Sequence, residues 1–423
     1  MGQVLMPASR STFHLPTCLA KTYFGHILMN KLQVLTNAPP TFALLAVLNF
    51  LARLAGKTFA HRGKGLVITM LLAAVQAHAA PLSTVQLEAG RVDYYPFSQG
   101  LSGTNSFQVY VPSSYDGFAA WPLVVVLHGC LTSADQMMHS SQMNEVADKG
   151  RFLVAYLDNG SACWRALFSD RASLQRGAGG DADKVAGMTK RAMSLYKVDA
   201  ERVYLIGMSA GAFQTTATAA AYPDIYAAVG VNAGGPYQGS LCLALPDLLA
   251  PTYALRALDQ MGARARIIPF ISFGGTSDPV GESVELGGCA RSAFYAAMNQ
   301  NNTVDALNKG KFWARAALAS NPSGQLVTGS YALDPTSTVN GQVPNGYTWT
   351  TKVWRDSSRC LIGEEWIVNG MAHYWSGGST DPQYAGRFND PKGPNSGQAA
   401  WDFFSRYRKS ETGKACSESR TGS

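Results

Sequence analysis

Along the 423-residue chain, short continuous apolar runs alternate with longer stretches whose apolar positions recur at helical spacing. Pro122–His128 (PLVVVLH) and Phe152–Leu157 (FLVAYL) carry no alternating polar face, as expected of strands buried on both sides of a parallel sheet. Val203–Ile206, Ala227–Val231, Arg266–Phe273 and Trp366–Val368 are read as further buried strands, while Gln86–Phe97 and Phe107–Pro112 are expected to be early antiparallel ones. Between them, Ala134–Gly150, Asp181–Tyr196 and Ala210–Ala221 are predicted helices; in the second, Met188, Ala192 and Leu195 share a face. Strand, helix, strand repeated at this spacing predicts a doubly wound, mostly parallel α/β sheet flanked by helices. Gly281–Gly363 is the least regular region and is expected to be an insertion before the last strand, with a helix near Ala290–Met298. A closing helix is expected over Gly397–Tyr407.

Charge changes the picture at one end only. The net charge is +7, yet the first 80 residues hold seven Lys and Arg and no acid, which leaves 28 basic and 28 acidic residues beyond them. That balance points away from nucleic acid as a partner. Lys57, Arg62 and Lys64 precede the apolar run Leu66–Val75 and the small-x-small signal Ala77-His78-Ala79, the pattern of an export signal. An earlier apolar stretch, Thr41–Leu54, is interrupted by Asn49 and Arg53 and is too short for a comfortable membrane span. We therefore expect a leader over residues 1–80, a catalytic domain over 81–410, a polar tail over 411–423, secretion to the periplasm or beyond, and no stable membrane insertion. Past the leader, Cys130, Cys163, Cys242, Cys289, Cys360 and Cys416 make an even set suited to disulfides, with fifteen possible pairings. No C-x-x-C spacing suggests a zinc site, and no metal or organic cofactor is implied.

The candidate chemistry centres on Gly207-Met208-Ser209-Ala210-Gly211, a G-x-S-x-G string between a predicted strand and a predicted helix. Ser209 there occupies a strained turn, and bulk two positions to either side would strike the neighbouring backbone. A serine hydroxyl needs a base to attack an ester. Of the three histidines past the leader, His128 precedes the serine and ends a buried strand, and His139 lies in a helix. His373 follows the last strand and completes the order Ser, Asp, His. The acid is expected in the loop after the preceding strand, where Asp278 ends the run IIPFISFGGTSD, with Glu282 and Glu285 as rivals. Oxyanion donors are expected from the backbone N–H of Ala210 and of a residue in His128-Gly129-Cys130, here Cys130.

With those residues named, the chain resembles the poly(3-hydroxybutyrate) depolymerase family of esterases, α/β-hydrolases related to feruloyl and acetylxylan esterases. The resemblance rests on PLVVVLHGC (Pro122–Cys130), MNEVADKGRFLVAYLD (Met143–Asp158), Cys163-Trp164, YKVDAERVYLIGMSAGA (Tyr196–Ala212), YPDIYAAVGVNAGGPY (Tyr222–Tyr237) and NGMAHYWSGG (Asn369–Gly378). It implies the same triad and oxyanion donors and places Trp164 near the substrate cleft, with a structural role in the core as the alternative. Where the family shows His-Gly-x-x-Asp, this chain has Gly274-Gly275-Thr276-Ser277-Asp278, so the acid remains and a supporting histidine is lost. With 50 residues after His373, a single catalytic domain without an appended polymer-binding domain is expected. The expected activity is hydrolysis of 3-hydroxyalkanoate esters through an acyl-serine. Feruloyl or acetylxylan ester hydrolysis, and a non-catalytic binding role on a hydrolase scaffold, are the alternatives. Nothing in the sequence speaks to the oligomeric state.

Overall fold

The computed structural model describes residues 84–86, 90–98, 105–239, 246–280, 288–320, 335–356 and 359–411. All lie in the compact unit Ala77–Ser423. The expected leader and nearly all of the expected tail fall outside the described residues, as do Cys242, Cys416, Glu282 and Glu285.

Eleven strands among the described residues form one sheet: β1 (Thr84–Gln86), β2 (Gly90–Phe97), β3 (Asn105–Pro112), β4 (Trp121–Leu127), β5 (Leu153–Asp158), β6 (Val198–Met208), β7 (Ala228–Asn232), β8 (Phe270–Gly275), β9 (Ser337–Gln342), β10 (Thr348–Arg355) and β11 (Leu361–Val368). Their spatial order is β1-β2-β3-β5-β4-β6-β7-β8-β11-β10-β9. The six neighbours from β5 to β11 run parallel, and the outer strands at both edges pair antiparallel.

The helices include α1 (Ala134–Ser141), α2 (Met143–Gly150), α3 (Asp181–Leu195), α4 (Ala210–Ala221), α5 (Pro246–Met261), α6 (Gly288–Asn308), α7 (Ala314–Ala319) and α8 (Ser396–Phe404). Alternation along β4 shows how the layers form. Leu123, Val125 and Leu127 point into one core with α3, α4 and α6, whereas Val124 and Val126 point into the other with α1, α2 and α8. Every β4 residue is buried, which explains the unbroken apolar run. Each such Val or Leu contributes about 1.5–3 kcal/mol through burial. The expected doubly wound α/β-hydrolase architecture is the one observed.

Three expectations need correction. The helix read over Ala134–Gly150 is two helices, because Gln142 adopts a left-handed conformation (φ 55°) and breaks the run. The helix α5, with Pro251 inside it, was not read from the sequence. The insertion is also more regular than its composition suggested: α6 is a 21-residue helix, and β9 and β10 extend the main sheet past β11. Gly, Ser and Thr are compatible with β9 because it is an exposed edge strand with little to bury.

Candidate active site

Parallel pairing brings the ends of β4, β6, β8 and β11 to one edge of the sheet, and each of the loops that follow them carries a candidate residue. Ser209 sits between β6 and α4 at φ 54° and ψ −122°, a conformation that costs a non-glycine residue on the order of 1–3 kcal/mol. Its surroundings hold it there. The Ser209 N–H donates to the Asn232 carbonyl at 3.0 Å, and the Ser209 carbonyl accepts from Ala212 and Phe213 at 2.9 and 3.0 Å. Both motif glycines are sterically required. A Cβ on Gly207 would overlap the backbone of Gly211, and one on Gly211 would overlap the carbonyls of Leu127 and His128.

His373 Nε2 lies 2.7 Å from Ser209 Oγ, and its Nδ1 lies 2.9 Å from both carboxylate oxygens of Asp278. An ionised carboxylate only accepts hydrogen bonds, so Nδ1 carries the proton and Nε2 of the neutral ring is free to accept from the serine hydroxyl. Asp278 is 5% exposed and also accepts from the Val280 N–H at 2.8 Å. His373 remains partly accessible, with 21% of its side chain exposed, where a substrate would approach.

The Gly129 backbone packs on the serine: a Cβ there would stand 3.4 Å from Ser209 Cβ. Among the described residues, the N–H groups of Cys130 and Ala210 have no protein acceptor, and Ala210 opens α4, where the helix dipole favours negative charge. The loop bearing Cys130 is cross-braced by the Cys130–Cys163 disulfide and by the Leu131 N–H donating to Ala162 at 2.6 Å. Cys289 and Cys360 are disulfide-bonded as well.

Of the two roles expected for Trp164, the position of its side chain fits the one in the core. Its side chain is fully buried in the core with its ring centroid 5.4 Å from that of His128, so it presents no surface to a substrate. His128 is also fully buried, donates from Nδ1 to the Gly129 carbonyl at 2.7 Å, and has its pKa lowered by burial. His139 is remote in role: it is exposed, stacked on Tyr384 and bonded to the Asp135 carbonyl. Sequence reasoning overlooked Asn232, whose carbonyl anchors Ser209 and whose Oδ1 accepts from the Ser376 N–H at 3.4 Å. Its one visible signal was a polar residue closing the apolar run of β7.

The sheet, the strained serine turn and the Ser-His-Asp hydrogen-bond chain define an α/β-hydrolase fold with a serine-hydrolase constellation. Residues 105–244 match the family described as Esterase PHB depolymerase. The chain is 36% identical over 133 residues to feruloyl esterase B of Neurospora crassa, covering 31% of this chain and 42% of that protein. It is 32% identical over 176 residues to a probable acetylxylan esterase A of Aspergillus clavatus, covering 40% and 55%. With poly(3-hydroxyalkanoate) depolymerase C of Paucimonas lemoignei it shares 27% identity over 271 residues, 62% and 57% of the two chains. The chain thus spans about half the length of these relatives. A solved acetyl xylan esterase from Aspergillus awamori superposes with a TM-score of 0.46 at 16% identity, covering 66% of this chain and 94% of that one.

Proposed function

We propose that this chain is a serine ester hydrolase that works through an acyl-serine intermediate, with 3-hydroxyalkanoate esters as substrate. The observation that carries the reading is the 2.7 Å approach of His373 Nε2 to Ser209 Oγ while Asp278 holds the opposite ring nitrogen. In this mechanism His373 takes the hydroxyl proton as Ser209 attacks the ester carbonyl. Asp278 stabilises the imidazolium without taking the proton. The tetrahedral oxyanion is met by the N–H groups of Cys130 and Ala210, and such donors are worth about 10²–10³ in kcat each. Collapse expels the alcohol, which receives the proton from His373, and water then repeats the sequence to free the acid.

Two observations support a polyester substrate over a polysaccharide ester. Leu131, next to Cys130 in the chain, and Val280, two residues past Asp278, are 57% and 41% exposed, which leaves apolar surface on the loops that carry two of the proposed catalytic residues. The similarity to the depolymerase also runs over 271 residues, against 133 and 176 for the feruloyl and acetylxylan esterases. The disulfides favour an oxidising compartment, in keeping with secretion. No helix among the described residues is long and apolar enough to cross a membrane.

The test is a substrate panel of 3-hydroxybutyrate oligomers, acetylated xylan and feruloylated arabinoxylan, run with wild type beside Ser209→Ala. Release of 3-hydroxybutyrate should dominate, and the substitution should lower it by a factor on the order of 10⁴ or more while the protein stays folded. Preferential release of acetate or ferulate would reassign the substrate, and full turnover by the variant would remove Ser209 from the chemistry.

A further inference from the structure

The carbonyl of Gly129 accepts two hydrogen bonds at once, from His128 Nδ1 at 2.7 Å and from Thr132 Oγ1 at 2.9 Å. The peptide that joins Gly129 to Cys130 is planar and trans, so fixing its oxygen also fixes the direction of the N–H at its other end. That N–H belongs to Cys130 and points away from the two donors. The Gly129 backbone, for its part, lies against Ser209 Cβ and the carbonyl of Met208. Resting on the esterase reading above, we propose that Thr132 is a positioning residue: its hydroxyl, acting with the His128 ring, holds the Gly129 carbonyl so that the Cys130 amide faces the oxyanion forming at Ser209.

The two donors are not equivalent. His128 is rigid, buried and adjacent to the peptide it holds, and its Nε2 has no hydrogen-bond partner among the described residues. Thr132 is only partly buried and lies on the far side of Leu131, which takes a left-handed conformation (φ 58°). That left-handed step folds the chain back so that the hydroxyl three residues on reaches the Gly129 carbonyl. The next residue, Ser133, caps α1 with a reciprocal bond to Gln136, which anchors the C-terminal side of the loop. The disulfide at Cys130 and the Leu131 N–H to Ala162 bond restrain the other side. What remains free in the peptide is rotation about its flanking bonds, and the Thr132 hydroxyl opposes it.

The experiment compares wild type, Thr132→Ser, Thr132→Val and Thr132→Ala in steady-state ester hydrolysis, in affinity for an alkyl boronic acid, and in labelling of Ser209 by a fluorophosphonate. The boronic acid forms a tetrahedral adduct on the serine and so reads the oxyanion site directly. Loss of the hydroxyl should lower kcat on the order of tenfold, less than removal of a whole oxyanion donor, with KM little changed. Boronic acid affinity should weaken in parallel, and Thr132→Ser should restore both. If Thr132→Val does not fold, Thr132→Ala carries the same comparison. Wild-type kcat and boronic acid affinity in the Val and Ala variants would overturn the proposal, as would equal impairment of the Ser variant. A wild-type protein that neither hydrolyses esters nor takes the fluorophosphonate would instead overturn the esterase reading, and the proposal with it.

Discussion

The N–H of Ser277 donates to the carbonyl of Met371 at 3.0 Å, joining the loop that carries Asp278 to the loop that carries His373. Two more bonds complete the seam: Thr276 N–H to the Val368 carbonyl at 3.0 Å, and Gly370 N–H to Thr276 Oγ1 at 2.8 Å. Gly275 is required there, since a Cβ would overlap the Met371 carbonyl. Position 274 is glycine in this chain, and Thr276 binds the histidine loop. The acid and the histidine are therefore set by backbone contact between the ends of β8 and β11 as well as by their own hydrogen bonds.

Asp278→Asn should keep that seam and lose the charge. An amide can present its nitrogen to His373 Nδ1 and stabilise the wrong tautomer, with Nε2 protonated and unable to accept from Ser209. The expected result is a fall in kcat on the order of 10⁴ with little change in melting temperature. Wild-type turnover would show that another carboxylate serves the histidine.

Gly211→Ala tests the steric reading of the serine turn. The added methyl meets the carbonyls of Leu127 and His128, which cannot retreat without moving Gly129 and Cys130. Overpacking of this kind costs about 1–3 kcal/mol, and a lower melting temperature should accompany a kcat reduced more than tenfold. A variant with unchanged kcat and melting temperature would show that the turn has slack.

Replacing both Cys130 and Cys163 with alanine opens a loop with a sequence separation of 33. Chain entropy predicts a loss of about 3–4 kcal/mol in stability. Denaturant titration measures it, and a change in midpoint near zero would mean the bridge does not restrain the unfolded chain. Turnover should fall as well, because the bridge braces the loop whose Cys130 N–H is proposed to meet the oxyanion.

Stability should also fall on acidification through His128. Burial lowers its pKa from 6.5, against smaller opposing effects from Asp158, the Gly129 hydrogen bond and Asp181. Below about pH 6.5 the unfolded chain binds a proton that the folded chain does not, so unfolding becomes easier, by at most about 1.4 kcal/mol per pH unit for one proton. The contribution is complete above pH 6.5 and is lost as the pH drops toward the folded value. Melting curves from pH 7.5 to 5 should show a shallower decline for His128→Asn, which retains a donor; identical slopes would place the acid sensitivity elsewhere.

Much of this protein could be read before any coordinates. Unbroken apolar runs marked the buried parallel strands because both faces of such strands meet helices, and the glycines around Ser209 followed from backbone crowding in a tight turn. His373 stands out because only three histidines lie beyond residue 80. These are local properties of neighbouring residues. Tertiary structure alone decided what depends on contacts between distant segments. Asp278 meets a histidine 95 residues away, and that histidine meets a serine 164 residues away, because β6, β7, β8 and β11 pair in parallel register. The same applies to the burial of Trp164, to the extension of the sheet by β9 and β10, and to the loop that holds the Gly129 carbonyl. Periodicity along a chain reports which side chains seek the interior; which of them share it is settled only when the strands find their neighbours.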